Sequence, residues 1–144
     1  MKRIPAILVL ICVATALAQA PDVPAFHKAA PPKTEKLPPV LTQKQLAAGG
    51  FNYPAQIESY KAAAKIPGIL YQLPCYCHCD RGFGHTSLHT CFTNSHGANC
   101  GVCIQETLFA YWKAKAGWTV KKIRDAVIKG DFKEIDLGNI KPVE

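Results

Sequence analysis

The side chains of this sequence with the greatest chemical capability lie in one short stretch, from Cys75 to Cys103. The stretch holds six cysteines and four histidines, whereas Asp80 and Arg81 are its only residues with a full formal charge. Thiolates and imidazoles bind metal ions, and thiolates also carry redox chemistry. The stretch therefore predicts a metal site, a thiol redox site or a set of structural disulfides.

The first motif in the stretch is Cys75-Tyr76-Cys77-His78-Cys79. In an extended chain, alternate residues point to the same side and lie about 6.6 Å apart along the strand. That separation suits two thiolates that converge on one ion better than an unstrained disulfide between neighbours. We therefore predict an extended arm with its three cysteines on one side.

The second motif is Cys100-Gly101-Val102-Cys103, whose spacing occurs in thioredoxin-type sites, zinc knuckles and cluster ligand sets. A helix should begin here, and the positive end of its dipole would stabilise a thiolate, especially on Cys100. Such a thiolate serves metal ligation, and it also serves a thiol oxidoreductase in which Cys100 attacks and Cys103 resolves. Ile104 follows Cys103 where covalent haem attachment needs histidine, so haem is not expected.

Histidines with adjacent glycines lie between the two motifs, at His85 and His96. A scaffold of structural disulfides does not need histidines, so their presence favours ligation or proton transfer. Among metals, copper(I) or zinc suits these ligands best, and an iron-sulfur cluster ranks lower in an exported protein. A thiol-disulfide or peroxide redox protein and a disulfide-stapled binding module remain as alternatives.

The first eighteen residues have the pattern of a secretory signal peptide. Lys2 and Arg3 precede the apolar run Ile4 to Leu17, and Ala16-Leu17-Ala18 predicts cleavage after Ala18. The apolar run is too short to span a bilayer. Ile11 stands before Cys12 where a lipobox has a small residue, which argues against a lipoprotein. We therefore predict an exported protein, periplasmic or extracellular, with six mature cysteines.

Loss of Lys2 and Arg3 would reduce the formal net charge from +7 to +5. The remaining positive charge is dispersed, without a run of five like charges. This distribution argues against nucleic-acid binding and against a polybasic membrane patch. A periplasmic redox or metal-transfer protein is the kind of partner that fits the site.

Six prolines between Pro21 and Pro39 predict a disordered tether over residues 19–41, followed by a single domain over residues 42–144. In that domain, Thr42 should cap a short helix and Pro54 should begin a second, with Ile57, Tyr60 and Ala64 on its buried face. A third helix should run from Cys100 or Gly101 to a stop at Gly117, and Thr119 should cap a fourth. These elements predict a mainly α domain with a long irregular Cys/His-rich loop and no sizeable sheet.

The short motifs PCYCHC, GH, CF, HG and CGVC occur here in that order, and together they resemble the bacterial PCYCGC-motif or CYCXC family. The resemblance spans about residues 53–132, with His78 where one branch of the family has glycine. It implies a small exported protein of a family without an established activity, one branch of which admits selenocysteine. Position by position, the family motif excludes His78 and His89 and implies eight candidate metal ligands: Cys75, Cys77, Cys79, His85, Cys91, His96, Cys100 and Cys103.

Overall fold

The computed structural model describes residues 22–144, so the signal peptide and the cleavage after Ala18 lie outside the described residues. The described part is built from α-helices and short 3-10 helices, and none of its residues forms a strand. The prediction of a mainly α fold with an irregular Cys-rich region and no sizeable sheet is confirmed. The α-helices are α1 (Gln43–Ala48), α2 (Pro54–Lys65), α3 (Pro67–Leu70), α4 (Cys79–Phe83), α5 (Gly101–Lys115) and α6 (Val120–Lys129). The 3-10 helices are η1 (Leu88–Phe92), η2 (Gly97–Asn99) and η3 (Asp131–Glu134).

Helix starts follow the local sequence. Thr42 accepts a hydrogen bond from the Gln45 backbone N–H at the start of α1, and the Gln45 side chain accepts one from the Thr42 backbone N–H. Pro54 is the first residue of α2, where its missing N–H costs nothing. The predictions for these two helices are confirmed, as is the Thr119 cap of α6.

The core forms where α2 packs against α5. Ile104, Leu108 and Tyr111 are buried along α5. On α2, Tyr60 is buried as expected, Ile57 is half-buried, and the prediction for Ala64 is wrong because that residue is exposed. The residues buried with Tyr60 are Ser59, Ala62 and Ala63, which shows that the face turned inward is centred one residue earlier than expected.

The Cys/His-rich loop between α3 and α5 has an irregular backbone, and buried apolar side chains hold it in place. Leu73, Leu88 and Phe92 are completely buried. The Leu88 backbone N–H also donates to the Leu73 carbonyl oxygen at 2.9 Å, which ties the entry of the loop to its middle. Packing of this kind can hold reactive side chains in place without a sheet.

Residues 22–41 have no helix or strand, and their first part lies against the domain. We call residues 22–28 the strap. Asp22 forms an ion pair with Arg81, the Phe26 ring lies 5.1 Å from the Arg124 guanidinium, and the His27 ring stacks on Tyr71 at 3.8 Å. The division of the chain into leader, tether and single domain stays a prediction, but the strap is in contact with the site region.

Candidate metal centre

The first cysteine motif forms a turn, so the prediction of an extended arm is wrong. The His78 backbone N–H donates to the Cys75 carbonyl oxygen at 3.0 Å, and α4 begins at Cys79. His78 itself has φ 55°, in the left-handed region. The rule that alternate residues share a side applies only to extended chain. The turn instead keeps Cys75 and Cys77 together and directs Cys79 to other partners.

Cys75 and Cys77 meet Cys103, the third residue of α5. The Cys75 Sγ lies 3.3 Å from the Cys77 Sγ and 3.3 Å from the Cys103 Sγ, and the Cys77 and Cys103 sulfurs are 3.6 Å apart. We call these three residues the three-sulfur group. Its compact triangle brings the two cysteine motifs, distant in sequence, to one point.

The second set consists of Cys79, His85, Cys91 and His96, which we call the Cys2His2 group. The Cys79 and Cys91 sulfurs are 3.3 Å apart, and the His85 Nδ1 lies 3.2 Å from the Cys91 Sγ. The four ligand atoms all lie within 4.8 Å of one another, as do the three sulfurs of the other group. Gly84, with φ 66°, turns the chain at the end of α4 so that His85 can reach back toward Cys79. Each group could hold a metal ion.

The two groups adjoin, because the Cys77 Sγ lies 4.0 Å from the His96 Nε2. Seven of the eight residues nominated by the family motif belong to the groups. The eighth, Cys100, is the N-cap residue of α5 and belongs to neither group, although it influences the pKa values of the Cys77 and Cys103 thiols. His78 and His89 also lie outside both groups.

The six cysteines that the structure describes are free thiols. Their closest sulfur pairs are 3.3 Å apart, whereas the bond of a disulfide is about 2.05 Å long. The thiols are therefore present as potential metal ligands and not as bridges.

Hydrogen bonding gives each group one acidic thiol. The neighbouring thiols Cys100, Cys103 and Cys75 hold the pKa of the Cys77 thiol below its usual range. The neighbouring thiols Cys103 and Cys75 lower the pKa of the Cys91 thiol to about 3, with a further contribution from Cys79, whose Sγ lies 3.3 Å away. Neighbouring thiols raise the pKa values of the other three: chiefly Cys103 for Cys75, Cys75 for Cys79, and Cys100 for Cys103. Each group therefore contains one thiol whose pKa is lowered.

Cys100 differs from its predicted character. A hydrogen bond with Cys103 lowers the pKa of the Cys100 thiol, but Cys77 and burial act the other way, and the pKa is raised overall. The expectation of a thiolate stabilised on Cys100 by the helix start is therefore wrong. The lowered pKa belongs to the neighbouring thiol, Cys77.

Glu106 is a residue of the site that sequence reasoning missed. It lies on α5, three residues after Cys103, and its side chain is completely buried. Its Oε1 accepts the Tyr76 backbone N–H at 2.8 Å, in the middle of the turn between Cys75 and Cys77, whereas its Oε2 has no hydrogen-bond partner. Burial raises the pKa of this carboxyl well above its usual value. The sequence signal for Glu106 was its position three residues after Cys103, because residues three apart on a helix lie on the same face.

His89, which the family motif excludes, is a core residue of η1. It is buried, its Nε2 has no hydrogen-bond partner, and burial lowers its pKa. A neutral imidazole that packs against the protein interior accounts for its position without ligation.

The centre has one side open to solvent and one side covered. Cys77, His96 and Cys100 are half-buried, and Phe83 beside them is 69% exposed with its ring 4.8 Å from the His96 ring. On the other side, Pro24 and Ala25 of the strap lie against Cys75, Cys79 and His85 across a crevice too narrow to admit water. Ligand exchange with solvent therefore has its shortest route past Cys77 and His96.

Among residues 22–144, no helix combines the length and apolar character needed to cross a membrane. Searches of curated proteins and of solved structures find no match to the chain. A family model described as a protein of unknown function with PCYCGC motif matches residues 51–142. The match includes both ligand groups and the turn at His78, where the family motif has glycine. The chain therefore belongs to the PCYCGC-motif family.

Proposed function

We propose that this protein is an exported domain that binds thiophilic metal ions, copper(I) or zinc, through its C-x-C-x-C and C-x-x-C motifs. The observation that carries the proposal is the convergence of seven cysteine and histidine ligand atoms into two adjoining groups. Random burial of cysteines would not place two histidines with their ring nitrogens among the sulfurs.

The chemistry of the ligands supports the choice of metal. Both groups consist of thiols and imidazoles and contain no carboxylate. Sulfur and nitrogen ligands favour copper(I) and zinc over magnesium, calcium and manganese, which prefer oxygen. Cys75, Cys79 and Cys103 are almost inaccessible to solvent, so a bound ion would be shielded from competing water.

Export is part of the proposal and rests on the predicted signal peptide. Extracytoplasmic thiols are exposed to oxidants, and a bound metal ion protects a thiolate by occupying its lone pair. A metal-binding role would therefore keep the cysteines reduced in such a compartment, whereas idle thiols would be exposed to oxidation.

The test is to express the full chain, isolate it anaerobically from the exported fraction, and measure metals by elemental analysis together with free thiols. We expect stoichiometric copper or zinc in the exported fraction, and recovery of all six thiols after the metal is removed. Metal-free protein with oxidised cysteines would contradict the proposal, and retention of the protein in the cytoplasm would contradict its export.

A thiol redox function is the second candidate, and the close sulfur pairs favour it. Cys75 with Cys103, and Cys79 with Cys91, need only a modest approach from 3.3 Å to bond. Each pair would give up two electrons and two protons to an oxidant such as a disulfide, and Cys100 with Cys103 is the pair that the C-x-x-C motif predicts. Rapid alkylation of one thiol and reversible disulfides found by mass spectrometry would support this function. Three permanent bridges would instead indicate a stapled binding module.

A further inference from the structure

We infer that the centre takes two unlike ions side by side: zinc(II) in the Cys2His2 group and copper(I) in the three-sulfur group. This inference rests on the proposed function and adds the number of ions and the place of each.

The number of metal ions follows from the number and grouping of the ligand atoms. Zinc takes four ligands in closed sites, and copper(I) with thiolates takes two to four. The centre offers seven ligand atoms, divided into sets of four and three within which every distance is below 4.8 Å. One ion would leave at least three of these seven sulfurs and nitrogens without a role. Two ions, one in each set, use all seven.

The Cys2His2 group has the ligands of a zinc site. Two sulfurs and two imidazole nitrogens in a tetrahedral arrangement are typical of zinc. Its two thiolates also balance the double positive charge of the ion. Charge balance matters here because Cys79 and Cys91 are buried. Arg81, the nearest guanidinium in sequence, is already paired with Asp22 of the strap, so the metal ion is left to balance the charge of the thiolates.

The three-sulfur group has the ligands of a copper(I) site. It supplies sulfur alone, the softest donor available in proteins, and soft ligands select copper(I). Three thiolates satisfy copper(I) in a trigonal arrangement, whereas zinc would require a fourth ligand that this set does not contain. Cys103 lies in the first turn of the fifteen-residue helix α5, whose positive end offsets part of the negative charge of the thiolates.

The protein also fixes the shape of the three-sulfur group without a metal. The Oε1 atom of the Glu106 carboxyl group accepts a hydrogen bond from the Tyr76 backbone N–H, and Tyr76 lies between two of the three cysteines. Because Glu106 and Cys103 share α5, this single contact couples the turn to the helix. A preformed triangle of sulfurs favours an ion that accepts three ligands over one that must rearrange the site.

The test uses the full chain, reduced and freed of metal under anaerobic conditions, then supplied with zinc(II) and copper(I) together. Native mass spectrometry should show one zinc and one copper per chain. X-ray absorption should show mixed sulfur and nitrogen neighbours at zinc and sulfur alone at copper.

Matched variants assign the ions to their groups. We expect His85→Asn to lose zinc and keep copper, with the buried but non-ligating His89→Asn as its control. We expect Cys103→Ser to lose copper and keep zinc, with Thr107→Ser as its control because Thr107 is buried on α5 and belongs to neither group. Circular dichroism of each variant reports whether the helices persist.

The outcomes separate this inference from the proposed function. A single ion per chain, two ions of one element from the mixture, or nitrogen neighbours at copper would overturn the inference and leave metal binding intact. Failure to bind either metal would overturn both. These results come from the unmodified chain, so they hold even where a variant fails to fold.

Discussion

His78 is the only residue other than glycine with positive φ among residues 22–144. Its angle of 55° turns the chain from the Cys75–His78 turn into α4, which begins at Cys79. A side chain in this conformation costs roughly 1 kcal/mol, a cost that glycine avoids. The glycine in the family motif is therefore explained by the backbone, and this chain carries strain that the motif does not require.

We expect His78→Gly to raise the free energy of unfolding by up to about 1 kcal/mol, because relief of strain outweighs the added freedom of the unfolded chain. Urea titration of the metal-free, reduced protein measures the change. His78→Ala is the control, since alanine removes the imidazole and keeps the Cβ. Equal stability of the two variants would show that the turn is not strained.

Glu106 makes stability depend on pH. Burial raises the pKa of its carboxyl well above the ordinary value of 4.5, so the unfolded chain releases this proton at lower pH than the folded chain does. Stability is therefore lost as pH rises above about 4.5. Glu106→Gln removes the titration while its side-chain oxygen can still accept the Tyr76 N–H.

For the metal-free protein, we expect Glu106→Gln to gain stability relative to the unmodified chain as pH rises from 4 to 7, in parallel urea titrations. Glu134→Gln, which changes an exposed carboxylate of η3 outside the centre, serves as the control. A difference between Glu106→Gln and the unmodified chain that stays constant over this range would contradict the assignment.

At the scale of elements, the two 3-10 helices η1 and η2 meet at Gly97. A Cβ on this residue would lie 3.0 Å from the Cys91 carbonyl oxygen and 3.1 Å from the Phe92 ring. Cys91 and His96, two ligands of the Cys2His2 group, are the immediate neighbours of this contact. The glycine therefore permits the close approach that places them together.

We expect Gly97→Ala to destabilise the protein by about 1–3 kcal/mol through overpacking and to weaken zinc binding while copper binding is kept. Zinc competition with a chromophoric chelator measures the affinity. Gly82→Ala in α4 is the control, because a Cβ there meets no atom within 4 Å. Equal zinc affinity of the two variants would contradict this role for Gly97.

Helix boundaries were predictable because they depend on local chemistry. Thr42, Pro54 and Thr119 act within one turn of chain, so the sequence alone identifies the starts of α1, α2 and α6. The turn at His78 was not predictable, since histidine does not signal a left-handed backbone as glycine would. The separation of Cys79 from Cys75 and Cys77 depends on that turn and on packing between residues distant in sequence.

For the whole molecule, the strap closes the centre on the side away from solvent. Phe26 contacts the Arg124 side chain, and Arg124 also donates to the backbone oxygen of Lys28 at 3.5 Å. These contacts join the strap to α6 across the cysteine-rich loop. The strap supplies no ligand, so it bears on the rate of metal exchange rather than on the number of ions.

We expect the double variant Phe26→Ala, Arg124→Ala to release metal to a chelator several-fold faster, with unchanged stoichiometry, because loss of the strap contacts opens a second route in addition to the one past Cys77 and His96. Stopped-flow absorption measures the rate. Lys121→Ala, which breaks an exposed ion pair with Asp125 on the same helix, is the control. If the double variant and Lys121→Ala release metal at the same rate, exchange does not pass beneath the strap.

The strap contacts join residues that are far apart in sequence, and this separation affects the order in which the parts of the protein fold. Arg124 and Lys28 are 96 residues apart in sequence, and contacts between such distant residues form late in folding. Because synthesis begins at the amino terminus, α6 must be complete before the strap can pack against it. The newly made protein would then pass through a stage in which its cysteines are assembled but uncovered. We expect metal supplied during refolding to enter faster than metal supplied to the native protein, and equal rates would show that no such loading stage exists.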